Sequence, residues 1–120
     1  MISSRPKPKV FSGFYEFPGG KLKKGEFSLE GLKREMNEEL SIEIDLSKIF
    51  FLMSYSIKRR KEKILLTFFL CNQWKGIESG LENQKIKWVK IEELKKFKIL
   101  KSNERVIAFL SENINYFSSK

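Results

Sequence analysis

Apolar residues recur three or four positions apart in two segments of the chain, which is the spacing of one face of a helix. The first segment runs from Ser28, a candidate N-cap, to Leu40, and the second runs from Ser102 to Phe117. The apolar positions are Leu29, Leu32, Met36 and Leu40 in the first segment, and Val106, Ile107, Leu110 and Ile114 in the second. The pattern therefore predicts two helices.

Alternating or continuous apolar runs between these helices predict strands. They are IEIDL at 42–46, IFFLMSYSI at 49–57, ILLTFFLCNQW at 64–74 and IKWVKI at 86–91. The charged segment KRRKEK at 58–63 separates two of them, as in an antiparallel hairpin with a charged loop. Residues 1–18 combine basic residues with Pro6 and Pro8, which predicts an extended basic loop. The class is α+β, with a mainly antiparallel or mixed sheet and two helices packed on it.

The chain has 120 residues, so we predict one domain over 1–120 without a linker. Its apolar runs are shorter than the roughly 18 residues of a membrane helix, and its start lacks the apolar stretch of a secretory signal. Cys71 is the single cysteine and cannot form an intramolecular disulfide. We therefore expect a cytoplasmic protein with no membrane partner, and we expect Cys71 to be a core residue because the chain has no histidine to activate it.

The formal net charge is +9, from 24 Lys and Arg against 15 Asp and Glu. A basic surface favours anionic partners such as nucleotides, pyrophosphate or, less strongly, nucleic acid. A plain solvated surface explains the charge equally well. The absence of histidine means that any metal site is rich in oxygen ligands, which suits Mg²⁺ or Mn²⁺.

The first predicted helix concentrates like charges. Glu35, Glu38 and Glu39 lie within five residues, and a rotation of about 100° per residue places them on one arc beside the apolar face. Their mutual repulsion costs roughly 0.2–0.5 kcal/mol per pair. A bound divalent cation would relieve this repulsion, and Arg34 is spaced to orient the carboxylates. The alternative is an ordinary solvated helix.

Spacing around this helix resembles a known family motif. Gly20, Glu26 and the segment 34–42 (REMNEELSI) resemble the Nudix box, G-x5-E-x7-R-E-U-x-E-E-x-G-U with U aliphatic. Ser41 stands where the motif has glycine. EFPGGK at 16–21, with Arg5 eleven residues before Glu16, is similar to the MutT branch. IKWVKIEEL and SNERVIAFL resemble that branch's last strand and final helix.

The resemblance implies a Nudix-type α/β/α sandwich with a mixed sheet and two main helices. The family has a strand and a turn before the position of ISSRP at 2–6, so we expect the first N-terminal strand to be missing here. An exposed sheet edge tends to aggregate or to be covered by a partner. We therefore expect a homodimer or poor solubility.

The activity that the resemblance implies is Mg²⁺-dependent hydrolysis of a nucleoside triphosphate to the monophosphate and pyrophosphate. MutT enzymes remove oxidised guanine nucleotides, so oxidised dGTP (8-oxo-dGTP) is the favoured substrate. One alternative is a Nudix hydrolase acting on dinucleoside polyphosphates or RNA 5′ ends. Another is an inactive, basic protein that binds nucleotides or RNA.

Metal and catalytic residues carry over by position in the motif. The resemblance assigns Glu35, Glu38 and Glu39 to the metal ion, with a backbone carbonyl of Gly19 or Gly20. Glu26 and Arg34 would support the loop and the helix. The candidate general bases are Glu35 and Glu82, and the alternative for Glu82 is a solvated loop residue.

Substrate-binding residues are implied outside the motif. Arg5 would contact phosphate, with plain solvation as its alternative. Phe17 would line the base pocket, or else pack in the core. Asn103 would contact the purine edge, since an amide both donates and accepts hydrogen bonds. Helix capping is the alternative for Asn103.

Overall fold

The computed structural model describes residues 1–6, 12–19, 25–82 and 84–118. It divides into two compact units. The terminal unit combines Met1–Pro18 with Gly80–Lys120, and the hairpin unit is Gly19–Ser79. Both contain strands and at least one helix, so the α+β class is confirmed. A single functional domain over 1–120 stays a prediction.

Seven strands and three α-helices are described, apart from three short 3-10 segments at 46–48, 91–96 and 101–103. The strands are β1 (Ile2–Ser4), β2 (Tyr15–Glu16), β3 (Glu43–Ile44), β4 (Ile49–Arg59), β5 (Glu62–Cys71), β6 (Trp74–Lys75) and β7 (Ile86–Lys87). The helices are α1 (Ser28–Leu40), α2 (Glu104–Glu112) and α3 (Ile114–Ser118). No helix in these described ranges is long and apolar enough to cross a membrane.

Helix α1 ends at Leu40 as predicted, but it starts one residue earlier than an N-cap at Ser28 implies. Phe27 occupies the N-cap position without a side-chain hydrogen bond, so the assignment of Ser28 as N-cap is wrong by one residue. The helix ends where Ser41 adopts a left-handed conformation, with φ 60° and ψ 31°. The Ser41 N–H donates to the carbonyl of Asn37 at 3.1 Å. The left-handed residue thus satisfies a carbonyl that the last turn would leave unpaired.

The predicted hairpin is confirmed. Strands β4 and β5 pair antiparallel from Ile49↔Cys71 to Arg59↔Glu62, with a β-bulge between Phe51 and Met53. Two residues, Arg60 and Lys61, connect the strands. The alternating run at 42–46 forms a strand only at Glu43–Ile44, because Asp45 then accepts hydrogen bonds from Ser47 and starts a 3-10 turn.

The terminal unit contains an antiparallel sheet in the order β2-β1-β7. The extended loop predicted over 1–18 is therefore wrong at β1 and β2. Ile2 was overlooked as a core residue, and it is 1% exposed. A parallel bridge joins Tyr15 to Ile99, so mixed pairing is present.

The second predicted helix is interrupted in the terminal unit. Residues 101–103 form a 3-10 turn before α2, and Asn113 separates α2 from α3. The Asn113 side chain donates to the carbonyl of Phe109 at 2.8 Å, which takes up an acceptor at the end of α2. Val106 and Leu110 provide the buried face, as their spacing predicts.

Candidate active site

Helix α1 carries the acidic residues beside its buried face. Met36 and Leu40 are buried, whereas Glu35 and Glu39 are half-buried. The Glu35 side chain is 14% exposed and the Glu38 side chain is 48% exposed. The acidic arc thus lies at the rim of the core, as the rotation per residue predicts. Reduced screening there strengthens both the repulsion among carboxylates and their attraction to cations.

Arg34 binds three carboxylates at once. Its Nε and Nη2 donate to the two oxygens of Glu26 at 2.7 and 3.0 Å. Nη2 also lies 2.9 Å from Oε1 of Glu35, and Nη1 donates to Oε2 of Glu38 at 2.9 Å. The hydrogen bond to Glu26 is the main cause that raises the pKa of Arg34, and Glu35 adds to it against the opposing effect of burial.

This geometry shows that Glu26 and Arg34 have a structural role. A planar guanidinium with a forked pair of bonds to one carboxylate has a defined orientation. Glu26 lies in the segment before α1, so its hydrogen bonds with Arg34 hold that segment against the helix. It also sets the side-chain directions of Glu35 and Glu38.

The acidic residues fit a hard divalent cation by donor type, since carboxylate oxygens are the ligands that Mg²⁺ and Mn²⁺ prefer. No three acidic or cysteine side chains within the described ranges are arranged to hold an ion. Glu35 and Glu38 instead direct oxygens to Arg34. Gly19 is exposed, and Gly20 lies outside the described residues. Binding an ion would therefore require side-chain rotation on α1.

Arg5 is paired with an acidic neighbour in the terminal unit. Its Nη1 donates to Oε2 of Glu16 at 2.8 Å, and the two side chains are only 22% and 27% exposed. The main chains also pair, because the Arg5 N–H donates to the carbonyl of Phe14 at 2.9 Å. Plain solvation of Arg5 is therefore wrong. The partner Glu16 was not identified from the sequence, although the eleven-residue separation was noted.

Asn103 and Phe17 are brought together by the fold of the terminal unit. The Phe17 N–H donates to Oδ1 of Asn103 at 2.9 Å. Asn103 is 7% exposed and occupies the N-cap position of α2, but its side chain makes no capping bond. Capping by the Asn103 side chain is therefore wrong. Glu16, the last residue of β2, binds Arg5, and the next residue, Phe17, binds Asn103, so the contacts of all three candidate substrate residues meet at the end of β2.

Glu82 lies in an exposed loop of the terminal unit. Its N–H donates to Oε1 of Gln84 at 2.7 Å, so the Gln84 side chain orders the main chain there. The described contacts give the Glu82 carboxylate no defined partner that would identify it as a base. Its assignment rests on the resemblance.

Comparison with known proteins agrees with the motif and the fold. The model of the NUDIX domain matches residues 2–110. The 8-oxo-dGTP diphosphatase of Buchnera aphidicola subsp. Schizaphis graminum is 35% identical over 94% of this chain and 84% of its own length. The 8-oxo-dGTP diphosphatase of Escherichia coli is also 35% identical, over 92% of this chain and 84% of its own.

Solved structures have the same fold. A structure from a study of MutT from Aliivibrio salmonicida and Vibrio cholerae superposes with a TM-score of 0.78 at 29% identity, covering 91% of this chain and 82% of that one. The Escherichia coli ORF135 protein superposes with a TM-score of 0.79 at 25% identity, covering 92% of this chain and 78% of that one.

Proposed function

Because this chain belongs to the NUDIX domain family, we propose that it hydrolyses a nucleoside triphosphate to the monophosphate and pyrophosphate, with oxidised dGTP as its substrate. Relatives named 8-oxo-dGTP diphosphatase are about 35% identical over most of the chain, which supports this substrate. The structural observation that carries the proposal is the network in which Arg34 binds Glu26, Glu35 and Glu38. It joins four positions of the motif in one cluster.

Nudix hydrolases generally need a divalent metal ion. We propose Mg²⁺, with Mn²⁺ as the alternative, and we propose that Glu35, Glu38 and Glu39 hold it with a carbonyl of Gly19 or Gly20. The bound ion would neutralise negative charge on the phosphate chain. Arg34 holds two of these carboxylates in place. A glutamate must take up the proton of the attacking water, and Glu35 and Glu82 are the candidates.

We propose that substrate recognition falls to Arg5, Phe17 and Asn103, whose contacts meet at the end of β2. Arg5 would contact phosphate, and Glu16 holds its guanidinium in one orientation. Phe17 would line the base pocket. The oxygen of Asn103 already accepts a hydrogen bond from the Phe17 main chain, and we propose that the amide N–H groups of Asn103 contact the base.

The test is pyrophosphate release from a panel of nucleotides with Mg²⁺ and, as a control, with EDTA. We expect turnover of 8-oxo-dGTP above that of dGTP and of a pyrimidine triphosphate, and none with EDTA. Turnover confined to dinucleoside polyphosphates or 5′-triphosphorylated RNA would support the alternative hydrolase. Nucleotide binding without turnover on any substrate would identify a non-enzymatic protein.

A homodimer and a cytoplasmic location stay predictions. Light scattering measures the first of them directly. A monodisperse monomer would contradict the idea that a partner chain covers an open sheet edge.

A further inference from the structure

One face of the β4–β5 hairpin is open to solvent and changes character along its length. Cross-strand pairing and the alternation of side chains define its members. From the tip inward, the paired residues of this face are Lys58↔Lys63, Ser56↔Leu65, Ser54↔Thr67 and Phe51↔Phe69. We call these eight residues the open face. It begins with a pair of lysines, continues with three small polar residues and Leu65, and ends with an aromatic pair.

Large apolar side chains on the open face are exposed. Phe51 is 63% exposed and Leu65 is 68% exposed. Phe51 packs edge-on against Phe69, with ring centroids 6.2 Å apart. The bulge between Phe51 and Met53 places Phe51 on this face beside Phe69, whereas its neighbour Phe50 lies on the opposite face. An aromatic side chain presented on a sheet surface is a platform on which an unpaired base can stack.

The hairpin tip carries concentrated positive charge. Five of the six residues from 58 to 63 are lysine or arginine. Among the residues that the structure describes, Lys58, Arg60, Lys61 and Lys63 form no ion pair. A concavity of about 340 Å³ lies between Lys58, Lys61 and Lys63, with Glu62 also at its wall. Because five cationic residues accompany a single carboxylate at the tip, its net charge is positive and it suits an anion such as a phosphate group.

Positive charge and exposed aromatic surface occur together on the open face, and their separation indicates the size of the ligand. Residues 63 and 69 are six positions apart on β5, or about 20 Å along a strand. That length matches about six stacked nucleotides at a rise of 3.4 Å. A mononucleotide cannot contact both ends, but an oligonucleotide can.

We propose that the open face binds single-stranded nucleic acid, with phosphates over the basic tip and a base stacked on Phe51. Charge complementarity selects a polyanion, and the exposed ring selects one with unpaired bases. In a duplex the bases stack on each other and are not available to Phe51. This binding is separate from nucleotide hydrolysis and does not rest on it.

The experiment is fluorescence anisotropy of the full chain with labelled oligo(dT) and oligo(U) of 20 nucleotides, in EDTA and at several salt concentrations. Duplex DNA of the same length and inorganic polyphosphate are the comparison ligands. We expect both single strands to bind more tightly than either comparison ligand. Since EDTA prevents metal-dependent turnover, failure of this proposal is distinct from failure of the proposed hydrolase.

Matched variants test the two ends of the face. Phe51→Ala should weaken oligo(dT) binding by at least about fivefold through loss of stacking, whereas Phe50→Ala removes an exposed ring from the other face and should not. Lys58→Gln with Lys63→Gln should reduce the slope of log K against log salt by about 0.7 for each phosphate that the protein no longer neutralises. Lys95→Gln with Lys96→Gln makes the same charge change at exposed residues of the terminal unit and should leave that slope nearly unchanged.

Melting temperatures establish that each variant is folded. Equal binding of duplex and single strand, or equal effects of the two phenylalanine variants, would overturn the proposal and leave a non-specific basic surface. No oligonucleotide binding by the folded protein at low salt would overturn it as well.

Discussion

The side-chain oxygen of Asn103 accepts a hydrogen bond of 2.9 Å from the main-chain N–H of Phe17, which lies 86 positions earlier in the sequence. Both residues were candidates for contact with the base, and the bond places them side by side. It also occupies one of the two lone pairs of the Asn103 oxygen. The Nδ2 of Asn103 lies 3.4 Å from Oγ of Ser102, a long and weak hydrogen bond. Asn103 therefore positions Phe17 and has amide hydrogens to offer a base.

The variants Asn103→Asp and Asn103→Ala separate the positioning of Phe17 from contact with the base. Asp keeps the acceptor for the Phe17 N–H but loses the amide donors, so kcat/KM should fall for 8-oxo-dGTP with little change for a pyrimidine triphosphate. Ala also leaves a part-buried N–H without its partner, which should destabilise the fold by about 1–3 kcal/mol. Equal losses on both nucleotides for the Asp variant would show that Asn103 serves structure alone.

Glu39→Gln tests the proposed metal ligands. The substitution keeps the shape of the side chain and removes its charge, so turnover should fall at least about a hundredfold while the melting temperature changes little. Glu30→Gln, at an exposed position of the same helix outside the acidic arc, is the matched control and should keep its activity. Near-normal turnover of Glu39→Gln with Mg²⁺ would falsify the assignment of this carboxylate.

Arg34→Lys tests the geometry of the cluster. Lysine keeps the positive charge but cannot make the forked bond to Glu26 while also reaching Glu35 and Glu38. We expect activity to fall by about tenfold to a hundredfold and more Mg²⁺ to be needed for half-maximal turnover. Lys33→Arg, on the neighbouring exposed position, controls for a change of cation type on α1. An unchanged Mg²⁺ dependence for Arg34→Lys would show that the network does not orient the ligands.

Ser41→Gly should stabilise the protein. Ser41 has φ 60° and ψ 31°, a left-handed conformation that costs a residue with a Cβ roughly 1–2 kcal/mol. Part of the gain is offset because glycine loses more freedom on folding, so we expect an increase of up to about 1 kcal/mol in the free energy of unfolding. Ser41→Ala keeps the Cβ and should give no gain. Urea denaturation of both variants measures the difference, and equal stabilities would contradict this explanation.

Cys71 should react slowly with thiol reagents. Burial raises the pKa of its thiol because it disfavours the charged thiolate. The thiolate fraction at pH 8 is therefore below that of an ordinary cysteine, and alkylation by iodoacetamide should accelerate only at higher pH. The same chain in urea is the control and should react faster at pH 8. A faster reaction of the folded protein would contradict the predicted lowered reactivity.

The sequence alone determined helix α1, the hairpin and the acidic side of the helix, because each depends on local interactions. The apolar period predicted the end of α1 at Leu40 and its start to within one residue, because one buried stripe suffices to specify a helix. The charged break at 58–63 predicted the hairpin, since apolar runs of strand length flank it. The motif spacing placed Glu35, Glu38 and Glu39 on one side of α1, because the rotation per residue is constant.

Tertiary structure decided the contacts between distant segments. Residues 1–18 have little apolar periodicity, so the sequence did not predict that Ile2 would be buried or that Arg5 would pair with Glu16 across β1 and β2. A strand of two or three residues is stabilised by its neighbours in the sheet and is too short to show an apolar alternation in the sequence. Asn103 likewise occupies an N-cap position, as a local rule predicts, yet its side chain binds the main chain of Phe17 because packing in the terminal unit brings the residue after β2 to the residue before α2.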